Sequence, residues 1–299
     1  DLAIEALLEA TVNNIKLNKM RQLEDNTSRA QNYVTAFING IPWKDACKDI
    51  DRLAAVTKED VIAFANEYLG ENAYAVVYKR QGEDKTVQKV SAPKITPIVT
   101  NRDQTSAFLT EIQNSEVKPI EPVFVDFDKD MAKFTLTEGA EVLYKKNDLN
   151  DVFNLQLVYN KGTQQDPALG LAMNYLSYLG TPDMSAEEMA TKMYALACSY
   201  SGGAGSTSSS IRVSGLSENM AEALRLVENL VQNAVPDETI LANLKADMIK
   251  DRADSKKAQR SCFSALQRYL YYGPDFIKIT TLTNDALMAL SSEELLAKV

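Results

Sequence analysis

Between residues 81 and 130 the chain carries four of its nine prolines (Pro93, Pro97, Pro119 and Pro122), set among Lys, Glu, Asp, Thr and Gln. Proline has no amide hydrogen to donate and holds φ near about −65°, so this stretch suits an extended connection and not a core element. One short helix, Ser106 to Ile112, is expected within it. A chain of 299 residues has the length of about two domains, and this interruption predicts a separate body on either side.

The first body reads as helical. Ile4, Leu7, Leu8, Val12, Ile15 and Leu17 recur at near-helical spacing, and Ala30, Tyr33, Val34, Phe37 and Ile38 do so again before Gly40-Ile41-Pro42 breaks the pattern. Thr57-Lys58-Glu59-Asp60 supplies an N-cap with acid in the first turn, where it meets the positive end of the helix dipole. Val61, Ile62, Phe64, Ala65, Tyr68 and Leu69 follow, and Gly70 suits the position just past the helix. Alternation at Tyr74, Val76 and Tyr78 then predicts a strand.

The second body opens with Phe134-Thr135-Leu136 and Val142-Leu143-Tyr144 flanking Glu138-Gly139, a hairpin pattern. Val152 to Tyr159 alternates as a strand; helices are predicted from Pro167 to Leu179 and after Ser185-Ala186-Glu187-Glu188, a capping box. A Gly/Ser stretch, Ser201 to Ser210, leads into Ile211-Arg212-Val213, and helices fill the rest: Glu218 to Val231, Asp237 to about Ala258, Cys262 to Tyr271. Strands early and helices late predict an α+β fold, an antiparallel sheet packed by helices. The expected division is 1–82, a helical partial domain; 83–130, a linker; and 131–299, an α+β domain.

The two ends echo one another. Asp51 to Phe64 aligns without a gap on Asp285 to Lys298, with five of the fourteen positions identical, and Gly40-Ile-Pro-Trp43 faces Gly273-Pro-Asp-Phe276 once a gap is allowed. An internal repeat is the expected meaning: the tail of one unit, a linker, and most of the next.

Composition narrows the chemistry. The chain has no histidine, which removes every imidazole relay and every His-ligated metal. Its net charge of −9 argues against nucleic acid as a partner, because phosphate binding depends on clustered Lys and Arg. Cys47, Cys198 and Cys262 lie far apart without a CxxC pair, and are expected as three buried thiols. No apolar run approaches the roughly 18 to 20 residues of a membrane span. Asp247 and Asp251 stand one turn apart among Lys245, Lys250 and Arg252, the pattern of a solvated face. Tyr269, Tyr271, Tyr272 and Phe276 are expected to pack in a core or an interface, and Trp43 reads as packing too. The chain opens at Asp1 directly in a helical pattern and stops partway through another, and is expected to be part of a longer protein.

Val56-Thr57-Lys58-Glu59-Asp60-Val61 with Tyr74-Ala75-Val76-Val77-Tyr78-Lys79, Glu138-Gly139-Ala140-Glu141-Val142, Val158-Tyr159-Asn160-Lys161-Gly162-Thr163, Gly170-Leu171-Ala172 and Leu216-Ser217-Glu218-Asn219 together resemble the pitrilysin/insulinase family of zinc peptidases. That family carries an inverted H-x-x-E-H motif. Its metal-binding domains read G-L-A-H-x-x-E-H, whereas this chain reads Gly170-Leu171-Ala172-Met173-Asn174-Tyr175-Leu176-Ser177. Met173 and Ser177 stand for the two histidines and Leu176 for the glutamate base. A thioether and a hydroxyl are poor zinc ligands, and leucine takes no proton from water. The third ligand, a glutamate, is expected within Met248 to Ala253, where none occurs.

The resemblance implies two similar halves closing around a chamber, often with metal in the first half only. This chain would supply the end of that first half, the linker, and the first domain of the metal-free half. Zinc is then expected in the parent protein and not in this segment, with catalysis before Asp1 and the Arg and Tyr near the substrate carbonyl beyond Val299. The expected partners are a peptide or unfolded polypeptide and the other half of the peptidase. In the family's pattern Ser201, Gly202, Gly203, Ala204 and Gly205 fall on an edge strand that pairs with substrate peptide; a loop without contacts is the other reading of the same residues. A phosphate-cradling loop is disfavoured by the missing G-K-[ST]. The alternative for the whole is a structural or chaperone-like scaffold with no peptidase activity. Exported bacterial members make the cell envelope or periplasm the expected location.

Overall fold

The structure, a computed structural model, describes residues 2–70, 73–79, 81–82, 86, 88, 90–98, 100, 102, 104–137 and 139–299. Glu83, the start of the expected linker, and Glu138, at the expected hairpin turn, lie outside the described residues. In chain order the helices and strands are α1 (Leu2–Gln22), α2 (Asn26–Ile38), α3 (Trp43–Ala46), α4 (Asp49–Ala54), α5 (Lys58–Tyr68), α6 (Ala107–Asn114), β1 (Ala132–Thr135), β2 (Glu141–Tyr144), β3 (Val152–Tyr159), α7 (Leu169–Leu176), α8 (Ala186–Ala195), β4 (Cys198–Ala204), β5 (Ser209–Leu216), α9 (Met220–Asn233), α10 (Glu238–Ser255), α11 (Gln259–Thr280, broken at Gly273), α12 (Asn284–Ala289) and α13 (Ser292–Leu296). The fold is α+β, as the order of strands and helices predicts.

Local chemistry sets the element ends. Asp25 caps α2 by accepting from the Ser28 amide at 2.7 Å. Gly40, at φ 64°, closes the same helix: its amide reaches the Phe37 carbonyl at 3.1 Å, and that of Ile41 reaches Ala36 at 2.9 Å, a Schellman motif. Thr57 and Asp60 bond reciprocally at 2.9 and 3.2 Å, as Ser185 with Glu188 and Ser291 with Glu294 do. Ser106 caps α6.

Two compact units are present: Asp1–Asn66 with Asn147–Val299, and Glu67–Lys146. The smaller contains α6 and the hairpin β1–β2, paired with Phe134 opposite Val142. The strand expected at Tyr74, Val76 and Tyr78 is not formed. Residues 73–79 belong to no sheet, and all three side chains are exposed, because alternation makes a strand only where a partner strand completes its ladder.

The larger unit is built on an antiparallel sheet of order β3-β5-β4. One face carries Phe153, Ile211, Val213, Cys198 and Tyr200, and packs against α7 and α9; a single core continues through α8, α10, α12 and α13. Each large side chain removed from water there contributes about 1.5–3 kcal/mol. The N-terminal helix joins this unit: Leu17 is buried with Val152, Ala197 and Leu216, and Asn14 donates to the Tyr194 carbonyl at 2.7 Å. The unit therefore joins residues from both sides of the expected linker.

Two polar expectations change. Only Cys198 of the three cysteines is buried; Cys47, just past α3, and Cys262, on α11, are exposed. Lys245 is not on a solvated face but 6% exposed, its ammonium donating to the carbonyls of Met288 (3.2 Å) and Leu290 (2.5 Å) at the end of α12. A cation there meets both free carbonyls and the negative end of the helix.

Two bonds hold the ends of α7. Tyr175, fully buried, donates its hydroxyl to the Asp237 carbonyl (2.9 Å) and accepts from the Asp237 amide (2.7 Å), fixing the start of α10. Asp166 pairs with Lys298 at 2.7 Å and accepts from the Ala168 amide at 3.0 Å. Partial burial pushes the Asp166 carboxyl up, but the Lys298 and Ala168 bonds and the nearby charges of Lys298 and Lys161 outweigh it, so it titrates below its usual value. A depressed carboxylate stabilises the fold above its unfolded pKa, and that contribution is lost as pH falls through the folded value.

Asp166→Asn should therefore cost roughly 1 kcal/mol at pH 7, partly screened by solvent, with the difference from wild type closing below about pH 4. Urea unfolding at pH 3 and pH 7 measures it. Tyr175→Phe should cost about 1–2 kcal/mol in the same experiment, since the part-buried Asp237 amide loses its acceptor while the Asp237 carbonyl keeps the Leu241 amide at 3.1 Å.

Candidate functional site

α7 stands where the sequence places the altered metal motif, and it lies against the antiparallel sheet. Its residues read Leu-Gly-Leu-Ala-Met-Asn-Tyr-Leu, apolar on nearly every side, and six of the eight are buried. Met173 and Leu176 are core residues, 2% and 3% exposed. Ser177 caps the helix end and turns its hydroxyl back onto the Asn174 carbonyl at 2.6 Å. The three positions thus do not converge on a polar cavity. Among the described residues no group of three His, Cys, Asp or Glu is gathered as a metal site, and Asp247 and Asp251 are exposed on α10.

Ser201 to Ala204 form the second half of β4, not a loop, and Gly205 opens the turn into β5. The glycine at 202 has a packing cause. A Cβ there would sit 2.9 Å from the Met173 carbonyl oxygen and 3.5 Å from the Met173 Cβ, so α7 rests its backbone directly on the strand. Gly203, one residue on, points to the opposite face, where a Cβ would meet nothing within 4 Å. The turn is clamped from the other side: the amides of Thr163 and Gln164 donate to the carbonyls of Gly205 (2.9 Å) and Ser206 (3.0 Å).

β4 is an edge strand with β5 on one side; among the described residues no backbone group bonds to its outer edge. It lacks the features that usually blunt an edge, having neither charge nor proline in Cys-Ser-Tyr-Ser-Gly-Gly-Ala. A shallow concavity of about 410 Å³ runs beside it, lined by all five candidate residues with Gln156, Ser208, Ser210 and Arg212. Register puts Arg212 opposite both Gln156 and Ser201, on the face away from α7. The Gly/Ser run drew attention to β4 alone. The second half of the surface was signalled only by period-2 alternation through Ile211-Arg212-Val213, which puts Arg212 outward between two core residues.

Burial pushes the Tyr200 phenol and the Cys198 thiol upward, and both lie on the core side of β4. Neither is a nucleophile near neutral pH. The arrangement offers backbone hydrogen-bonding groups, small side chains and one guanidinium: the means to bind an extended chain, without a group to cut it.

No protein-family model matches the sequence, and no curated protein sequence does either. Solved structures do. A peptidase M16 inactive domain from Pseudomonas fluorescens aligns with a TM-score of 0.50 at 20% identity, over 56% of this chain and 42% of that one. The periplasmic protease PqqL from Escherichia coli aligns at 0.49 and 15% identity, over 99% of this chain and 36% of that one. At 20% identity the likeness to the inactive domain is one of fold: over 56% of its length this chain shares the α+β fold of that domain. It spans less than half the length of either structure.

Gly202→Ala should destabilise by about 1–3 kcal/mol because the backbone it meets cannot rotate away, whereas Gly203→Ala should change stability by less than about 0.5 kcal/mol. Thermal unfolding of the pair reads the difference.

Proposed function

We propose that this chain is a non-catalytic segment of a zinc metallopeptidase, whose H-x-x-E-H site lies in another part of the parent protein, and that β4 receives an extended peptide along its open edge. The single observation that carries the reading is the packing of α7. A helix in the place of the metal-binding helix, with Met173 and Ser177 at the ligand positions and Leu176 at that of the base, serves with its buried Met173 and Leu176 as a backing for an unblunted edge strand. The fold likeness to an inactive peptidase domain supports it. Peptide pairing by strand addition takes its affinity from main-chain hydrogen bonds, which β4 offers without a side chain in the way at Gly203. In the parent, zinc would activate water for peptide hydrolysis, and this segment would form part of the chamber wall and hold substrate in register. An exported location is the one we assign to such a parent.

Two measurements test this. Incubated with zinc and a fluorogenic peptide panel, the chain should show no turnover that a chelator abolishes. A labelled extended peptide should bind by fluorescence anisotropy and lose at least tenfold in affinity when alternate backbone nitrogens on one edge are methylated. Chelator-sensitive cleavage, or indifference to methylation on either edge, would sink the respective half of the proposal. Binding without any active parent would favour the chaperone-like scaffold.

A further inference from the structure

We infer that the surface beside β4 prefers acidic peptides, and that Arg212 is the residue that sets the preference by taking a carboxylate side chain of the bound strand. The inference rests on the strand-addition reading of β4 and adds to it the chemical class of peptide.

The argument begins with what the sheet turns outward. By register, the face opposite α7 presents Asn154, Gln156 and Val158 from β3, Ser210, Arg212 and Ser214 from β5, and Ser199, Ser201 and Gly203 from β4. No carboxylate is among them, although the chain carries 41 acidic residues against 32 basic ones. Two arginines meet this face. Arg21 reaches over from α1 and donates to the Ser214 hydroxyl at 3.0 Å, at the end where Leu17 covers Val152 and Leu216. Arg212 stands in the uncovered half, exposed, and takes part in no ion pair among the described residues. The acids Asp151 and Glu218 line a different hollow, beside Lys16 and Met20 of α1.

Geometry then selects the occupant. A strand added outside β4 lies two strand spacings from β5, on the order of 10 Å from the Arg212 backbone. Ser201 is the one side chain between them, and Gly203 next along the strand has none. An arginine and a glutamate extended toward each other span that gap across Ser201. A guanidinium offers a planar pair of donors matched to a carboxylate, and a charge-assisted pair is stronger than the neutral contact a glutamine makes at the same place. A lysine-bearing peptide meets like charge instead. An acidic or neutral extended strand fits this face; a basic one does not.

The test uses the whole chain and three blocked peptides of equal length, alternating Val or Thr on one face with Glu, Gln or Lys on the other. Anisotropy titrations at low salt should rank Glu above Gln by about tenfold, with Lys weakest, and 0.5 M NaCl should compress the series because exposed pairs are screened. In Arg212→Gln the ratio of Glu to Gln affinity should fall to near one, and Arg212→Lys should restore part of it. Circular dichroism establishes that each variant is folded, as an exposed strand position should permit. Equal binding of Glu and Gln peptides to the wild-type chain, or a ratio unchanged in Arg212→Gln, overturns the role of Arg212 and leaves strand addition standing. Failure of all three peptides to bind overturns both.

Discussion

The contact between the Met173 backbone and Gly202 is the constraint on which the rest of the larger unit depends. With no Cβ at 202, α7 comes down onto β4 at backbone distance, and that approach buries Leu169, Leu171, Ala172, Met173, Tyr175 and Leu176 together. From this seated helix the remaining elements take their places. Tyr175 holds the N-cap residue of α10, Asp166 reaches Lys298 beyond α13, and the far face of β4 is left free of the helix. Filled with apolar side chains, α7 is a rigid wall behind an edge strand.

The open side of the sheet follows from the same arrangement by alternation. Every residue of β4 that turns toward α7 leaves its neighbour turned away, so the helix that closes one face necessarily exposes Ser199, Ser201 and Gly203 on the other. α1 covers the end near Val152 and stops there, with Arg21 bonded to Ser214. What remains is a polar, carboxylate-free half-face next to an unpaired strand edge, on a chain that is otherwise acidic.

The internal echo shows how one sequence pattern meets two fates. Both copies form a short helix, a brief connection and a second helix with a reciprocal cap, Thr57 with Asp60 in one and Ser291 with Glu294 in the other. In α12 and α13 the pattern is docked: Leu287 and Leu295 are fully buried, Lys245 closes the end of α12, and Glu238 accepts from the Ser292 amide at 2.8 Å, which holds its carboxyl below its usual value. In α4 and α5 the corresponding Val61 and its neighbour Ile62 are 46% and 47% exposed. Caps are local and form wherever their residues stand together; burial needs a partner surface, which α7 and α10 supply to one copy only.

That contrast separates what was legible from what was not. Caps, the Gly40 stop, the hairpin β1–β2, strand β3 and the helices from α7 to α10 could be read along the chain, because each is decided by neighbours within a few residues. The absence of histidine was equally plain, since chemistry absent from a sequence cannot be folded into it. Long-range packing alone decided that Lys245 is buried and Cys262 exposed, and that Tyr74, Val76 and Tyr78 join no strand. It also decided that α1 belongs with the sheet, and that Arg212 faces the concavity beside β4. Periodicity states which residues share a face; only the assembled layers determine which face is covered, and a binding surface is the face left over.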